Sequence, residues 1–364
     1  MTETARAASL SDKLKRIRVP RPGRPRGALS FAMPVIIENI FIIVIGMVVA
    51  AFVGKLEGAS LAAMGNGNTA IAMVSALFCI ITISASAMTA RMFGAGDRAG
   101  ASEAVEQTLF FSIVVCTAVC LALAALSEPV MRLLIPTADP QLFSETVMYF
   151  RLLCISYPFY NIHVAASGIL RAVSSSGAAM VSTLFLNGSY LIFVVLALTV
   201  FDLGLVGVGL ALILSRMLTM MLASFFLFRS PSFNITLKGI FTPRFPMLKR
   251  LLHLGYPTAL EQLFIQTVYL AANSMLVGLG THDATVFNVV SQIHAISGVI
   301  QTICSTAIIT LVGQALGEAD VKGAKKNVRL LWLTGMAASV LFWLITLLAR
   351  TQLASFFSND PTVI

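Results

Sequence analysis

The stretch PVIIENIFIIVIGMVVAAFV, residues 34–53, decides how this chain is built. It carries one charge, at Glu38, and is otherwise apolar over the roughly 20 residues that a helix needs to cross a bilayer. Its opening returns later in the chain as PTALEQLF, residues 257–264. Pro34, Glu38, Phe41 and Ile42 recur as Pro257, Glu261, Phe264 and Ile265, each 223 residues further on. A second motif keeps the same offset: Gly94, Asp97 and Ala101 recur as Gly317, Asp320 and Ala324. Two motifs about 60 residues apart rarely hold one offset by chance, so the chain is an internal repeat.

Working outward, nine segments are long and apolar enough to be helical spans, near 30–53, 62–90, 105–126, 146–169, 178–200, 205–228, 254–279, 284–313 and 328–349. Composition agrees. Hydrophobic residues make up 57% and charged residues 11%, against about 25% charged in soluble domains. Most of the chain therefore has no water to solvate charge. In hydrocarbon a backbone must satisfy its own hydrogen bonds, which makes these spans helices. The fold class is an all-α polytopic membrane protein.

Charge in the loops alternates. Residues 1–27 hold eight Lys and Arg against Glu3 and Asp12. Arg91, Arg98 and Arg171 fall on the same side, as do Arg229 to Arg250 and Lys322 to Arg329. Basic loops stay in the cytoplasm, so the N-terminus is expected there. The basic tail is read as a partner of anionic lipid rather than of nucleic acid. The following apolar run is too long for a cleaved signal peptide.

The repeats both start from the basic side and are therefore parallel. The expected layout is a tail at 1–28, a six-helix N-lobe at 29–229, a basic linker at 230–251 and a partial C-lobe of three helices at 252–364. On this reading the second of two six-helix repeats is incomplete, cut short after the ninth helix. Cys79, Cys116, Cys120, Cys154 and Cys304 all lie in apolar runs with neither metal nor disulfide spacing. The sequence holds no lysine-bearing phosphate loop, HExxH or GxSxG, so an enzyme is not expected.

Glu38 and Glu261 are the leading candidates for ion coupling or gating. A carboxylate at mid-span costs roughly 2.5–3.5 kcal/mol on insertion scales. The competing reading places each glutamate in a helix first turn, where the helix dipole and headgroup water favour it. In the seventh span Gln262, Gln266, Tyr269 and Asn273 share one helix face. In the eighth, Asn288, Ser291, Gln292, His294, Gln301 and Ser305 add polar groups. Two adjacent polar faces suit a wetted cavity. The first repeat offers Asn39, Asn66, Asn68, His163, Asn187 and Tyr190. Arg171 reads as a snorkelling residue at a helix end. Arg216 lies within the sixth span and requires a partner or a cavity.

PVIIENIF and PTALEQLF opening the halves, and RMFGAGDRAGA and LVGQALGEADVKGA after each second span, resemble the multidrug and toxic compound extrusion (MATE) family. So do GILRAV and LFLNGSY. The resemblance implies two six-helix lobes around a central cavity, alternating access, and export of amphiphilic organic cations in exchange for Na⁺ or H⁺. It places Asn187 at the family's fifth-helix asparagine. The chain departs from the family at Met47-Val48-Val49-Ala50, where many members carry an aspartate, and at Gly188 to Leu191, which lack a second one.

The resulting expectation is a secondary active exporter in a bacterial inner membrane, multi-pass and monomeric, with no cofactor and with Na⁺ or H⁺ as coupling ion. Its partners are organic cations and membrane lipid, not nucleic acid. Glu38 and Glu261 take the ion or gate; Asn187, Gln262, Gln266, Tyr269, Asn273, Gln292 and His294 line the substrate cavity. Two other classes fit the same features: a flippase for lipid-linked precursors, and a transport-inactive receptor or scaffold.

Overall fold

The computed structural model describes residues 28–54, 56, 60–135, 139–279 and 281–348; the side chains of 28–32, 270 and 272–296 lie outside the described set. Among the described residues there is no strand. The long helices, in chain order, are α1 (Ala28–Val53), α2 (Ser60–Gly94) and α3 (Arg98–Ala125). A short α4 (Ser127–Leu134) precedes α5 (Pro140–Ala172), α6 (Ser176–Thr199) and α7 (Gly204–Phe228). The second repeat supplies α8 (Phe245–Leu279), α9 (Thr281–Gly317) and α10 (Val321–Leu348).

Each of the nine expected spans is thus a helix. Among the described residues, seven meet both the length and the apolarity needed to cross a membrane. The other two helices, α5 and α8, have ample length at 33 and 35 residues.

Two boundaries differ from expectation. Helix α8 starts at Phe245, inside the stretch expected to be linker. The segment FPMLKRLLH is amphipathic: Met247 and Leu251 are buried in the first-lobe core while Lys249 and Arg250 point out. Proline at its second position is compatible with a helix start. Likewise α1 begins at Ala28, so Pro34 is interior and Glu38 sits about 15 Å along the helix. Neither glutamate occupies a first turn, which removes the helix-end explanation for both.

Within the first lobe, α2 and α5 form the central pair; α5 packs in turn on α7, and α2 against α8 and α9. Small residues let them approach, as is usual between membrane helices. A methyl group at Gly168 would sit 2.3 Å from Ser86 Oγ, and one at Gly67 2.7 Å from the Tyr149 ring. Helix α3 contains a π-helical turn, Phe111–Cys116, beside which Ser112 donates to Asn161 Oδ1 (3.0 Å).

The linker is fastened to the start of α3. Glu106 accepts from the Thr236 N–H (2.9 Å) and hydroxyl (3.0 Å). Gln107 accepts from the Arg244 N–H (2.8 Å) and donates to the Thr242 carbonyl (3.0 Å). Arg244 also pairs with Glu103 at 3.1 Å.

The repeat is legible in the lobe contact. At the end of the molecule carrying Arg91 and Arg171, α2 crosses α9 glycine to backbone. A Cβ on Gly94 would lie 2.1 Å from the Gln314 carbonyl oxygen, and one on Gly317 2.0 Å from that of Arg91. Positions 91 and 314 are themselves related by the 223-residue offset, so the contact is reciprocal, as a two-fold crossing requires. Asp97 and Asp320 then cap the next helix in each lobe, accepting from Gly100 and Gly323, both at 2.8 Å. The conserved spacing of the motif within the chain therefore has a cause: close approach by glycine, then a cap three residues on. Gln314 adds a cross-lobe tie, donating to the Ala172 carbonyl (2.7 Å) and the Ser174 hydroxyl (3.1 Å).

Candidate functional site

A cavity of about 340 Å³ lies among α1, α5, α6, α7 and α9. Its charged and titratable lining comes from Glu38, His163, Arg171, Arg216, Tyr160 and Tyr190. Asn39, Asn187 and Thr183 add amides and a hydroxyl, and Thr302 and Thr306 reach in from the second lobe.

Glu38 is the organising group. Its residue is 7% exposed, and its Oε1 accepts from Arg171 Nη2 (2.5 Å) and from the Thr183 hydroxyl (2.8 Å). One carboxylate oxygen thus ties α1 to α5 and α6. The second oxygen, Oε2, is buried and has no hydrogen-bond partner among the described residues, and neither has Arg171 Nε. A buried acceptor without a donor is costly, of order 1–3 kcal/mol, and marks a place where a proton or small cation would be favourable.

Arg171 was expected to snorkel to headgroup water. It instead turns inward, because a carboxylate within reach in a low-dielectric setting attracts it more strongly than the interface does. Its side chain is 16% exposed.

Arg216 sits at the middle of α7, where an arginine costs roughly 2.5–3.5 kcal/mol to insert. The cavity and two contacts explain how it is held. Nη1 donates to Ser156 Oγ (2.6 Å), and the guanidinium lies over the Tyr160 ring, 4.7 Å from its centroid. No carboxylate pairs with it among the described residues. His163 is buried, with only a long 3.5 Å approach from its Nδ1 to the Ser167 hydroxyl.

Asn187 lines this cavity as the sequence suggested, its Nδ2 donating back to the Thr183 carbonyl at 2.8 Å. Asn39 does the same to Val35, also at 2.8 Å. The described second-lobe candidates, Glu261, Gln262, Gln266 and Tyr269, do not join it. Glu261 is exposed on α8 and makes no ion pair among the described residues. Gln262 and Gln266 are half-buried, and Tyr269 is 43% exposed. The side chains of Asn273, Gln292 and His294 lie outside the described residues. Gln301 and Ser305 face a separate groove beside α10, whereas Thr302 and Thr306, one position round the helix, face the first lobe. The repeat motif makes Glu38 and Glu261 equivalent in sequence, yet among the described residues Glu38 alone has an ion pair and a hydroxyl donor.

Sequence reasoning missed Arg171 and Thr183 as partners of Glu38. A membrane-embedded carboxylate demands a cation or donors, and an arginine at a helix end was available to supply one; pairing across helices has no local signature. Thr302 and Thr306 gave a signal, an i, i+4 threonine pair in an apolar helix, that was passed over for the larger amides.

A family model described as MatE matches residues 34–197 and 257–364. The chain is 25% identical over 346 residues to a probable multidrug resistance protein NorM of Thermotoga maritima, covering 92% of this chain and 73% of that protein. It is also 25% identical over 342 residues to the multidrug resistance protein MdtK of Pectobacterium atrosepticum, covering 92% and 74%. Its fold matches a MOP superfamily transporter from Pyrococcus furiosus with a TM-score of 0.83 at 23% identity, over 94% of this chain and 76% of that one. An outward-facing multidrug resistance MATE family transporter gives 0.83 at 22% identity, over 93% and 75%. With both repeats matched and the lobes arranged as in those transporters, this chain belongs to the MATE family of multi-pass membrane transporters.

Proposed function

We propose that this protein is a secondary active exporter of amphiphilic organic compounds, working by alternating access, in which Na⁺ or H⁺ acts at Glu38. The observation that carries the reading is the unpartnered Oε2 of a buried carboxylate whose other oxygen holds α1 to α5 and α6. A proton or Na⁺ on Oε2 cancels the charge that keeps Arg171 in place. The cluster then loosens, and α1 is free to shift against α5 and α6. Coupling of this kind needs a differential affinity of the ion for two arrangements, not a new contact in one. Its relatives' names as multidrug resistance proteins support organic compounds as the cargo.

Glu261 has no such cluster among the described residues, and we assign it to the cleft wall with Gln262, Gln266 and Tyr269, where polar groups wet the path between the lobes. Asn273, Gln292 and His294 are assigned to the same wall from the sequence. The bias towards organic cations implied by the resemblance would rest on this wall. Of the three formal charges in the first-lobe cavity, two are arginines.

The test is gradient-driven flux. The full chain is reconstituted in vesicles, and movement of ethidium and norfloxacin is followed under an imposed Na⁺ or proton gradient. Flux that follows either gradient and collapses in Glu38→Gln is expected. Flux that ignores both gradients in the unmodified protein overturns the proposal.

A further inference from the structure

We infer that Arg216 is an oxyanion-binding residue, so that the first-lobe cavity takes amphiphiles carrying a sulfonate, carboxylate or phosphate group. This deepens the exporter reading and uses the same cavity.

The geometry points to a ligand in four ways. Arg216 lies at mid-membrane depth on α7, far from any headgroup its stem can reach. It opens onto the cavity rather than into packed protein. Among the described residues its one hydrogen-bond acceptor is the neutral Ser156 hydroxyl, which itself donates to the Leu153 carbonyl at 2.8 Å. Stacking on Tyr160 fixes the plane of the guanidinium without neutralising it. A guanidinium has five N–H donors in a rigid fork, and none of the others on Arg216 is both buried and unpartnered. They are therefore presented to the cavity, preorganised for the bidentate geometry that oxyanions favour.

The surroundings reinforce the choice of sign. Glu38, the one carboxylate in the lining among the described residues, is already engaged by Arg171 and Thr183. The cavity thus holds one compensated pair and one uncompensated cation, a net positive space bounded by Ile42, Leu186 and Leu212. An organic cation entering there meets like charge. An aromatic or aliphatic body with an acidic group finds both a counter-charge and apolar walls.

The test uses the full chain in phosphatidylcholine nanodiscs and isothermal titration calorimetry with two matched probes, naphthalene-1-sulfonate and 1-naphthylmethylammonium. The sulfonate is expected to bind and the ammonium to bind more weakly. Arg216→Gln should weaken the sulfonate about tenfold or more, the loss expected for one charge-assisted contact, while leaving the ammonium unchanged or stronger. Arg216→Lys, which keeps the charge but loses the fork and the stacking on Tyr160, should bind the sulfonate with an affinity between those of the parent and Arg216→Gln. Equal loss of both probes in Arg216→Gln overturns the inference, since it would make Arg216 a structural residue. So does unchanged sulfonate binding. Adding phosphatidylglycerol to the discs separates the sources: competition supports the site and makes a lipid phosphate its occupant, whereas undiminished binding supports the site and assigns it to free solutes. Arg216-dependent sulfonate binding without gradient-driven flux would sink the exporter reading alone.

Discussion

Removing either partner of the Glu38–Arg171 pair should cost far more than half of what removing both costs. The two side chains are 9% and 16% exposed, so solvent screens them little. Glu38→Gln keeps an acceptor for Thr183 but leaves Arg171 charged beside an apolar lobe core. Breaking such a pair from one side costs about 3–5 kcal/mol in buried sites. The cavity at its edge puts this pair at the low end, about 3 kcal/mol. Arg171→Gln, which strands the carboxylate, should cost the same. The double variant replaces two charges by two amides that bond to each other, so its cost should be about that of one single change. The coupling is then about 3 kcal/mol, the upper end for contacting residues. Unfolding of the four proteins in mixed detergent micelles measures it. Additivity within about 0.5 kcal/mol would refute the ion pair as the tie between α1, α5 and α6.

Gly317→Ala should destabilise the lobe contact by about 1–3 kcal/mol, the usual cost of overpacking, since its Cβ would lie 2.0 Å from the Arg91 carbonyl oxygen. Gly46→Ala, with nothing within 4 Å of its Cβ, should instead be neutral or stabilising in the same unfolding measurement. Glu106→Ala strands the Thr236 N–H and should speed tryptic cleavage at Lys238 and Arg244 well before the helices are cut. Unchanged cleavage would show that Glu106 does not hold the linker. Glu261→Gln should leave stability within about 0.5 kcal/mol of the parent, in contrast to Glu38→Gln. A large loss would reveal a partner for Glu261.

The helices and the two-repeat plan were legible in the chain, because apolar run length and a constant offset are read along the sequence. The lobe crossing was not, since the glycine–aspartate motif announces a repeat while the crossing pairs α2 with α9 across more than 200 residues. Where α8 begins was not, since Met247 and Leu251 owe their burial to the first lobe, which no nine-residue window contains. The candidate site was half legible. Glu38, His163, Asn187 and Arg216 stand out as polar groups in apolar helices. That Glu38 is partnered and Glu261 exposed depends on α5 and α6 contributing Arg171 and Thr183, and the repeat conceals that difference by making the two glutamates look alike. In the described part of the eighth span, Gln301 and Thr302 differ by one step of the helix, and only packing says that Thr302 faces the first lobe and Gln301 the groove beside α10.

The most direct measurement is ion release on substrate binding by the purified full chain, read as a pH change in weakly buffered detergent solution and as Na⁺ displacement in a parallel sample. Addition of a transported compound should release H⁺ or Na⁺ from the unmodified protein and none from Glu38→Gln, with binding of the compound retained. Equal release from both would contradict the assignment of Glu38 as the coupling site.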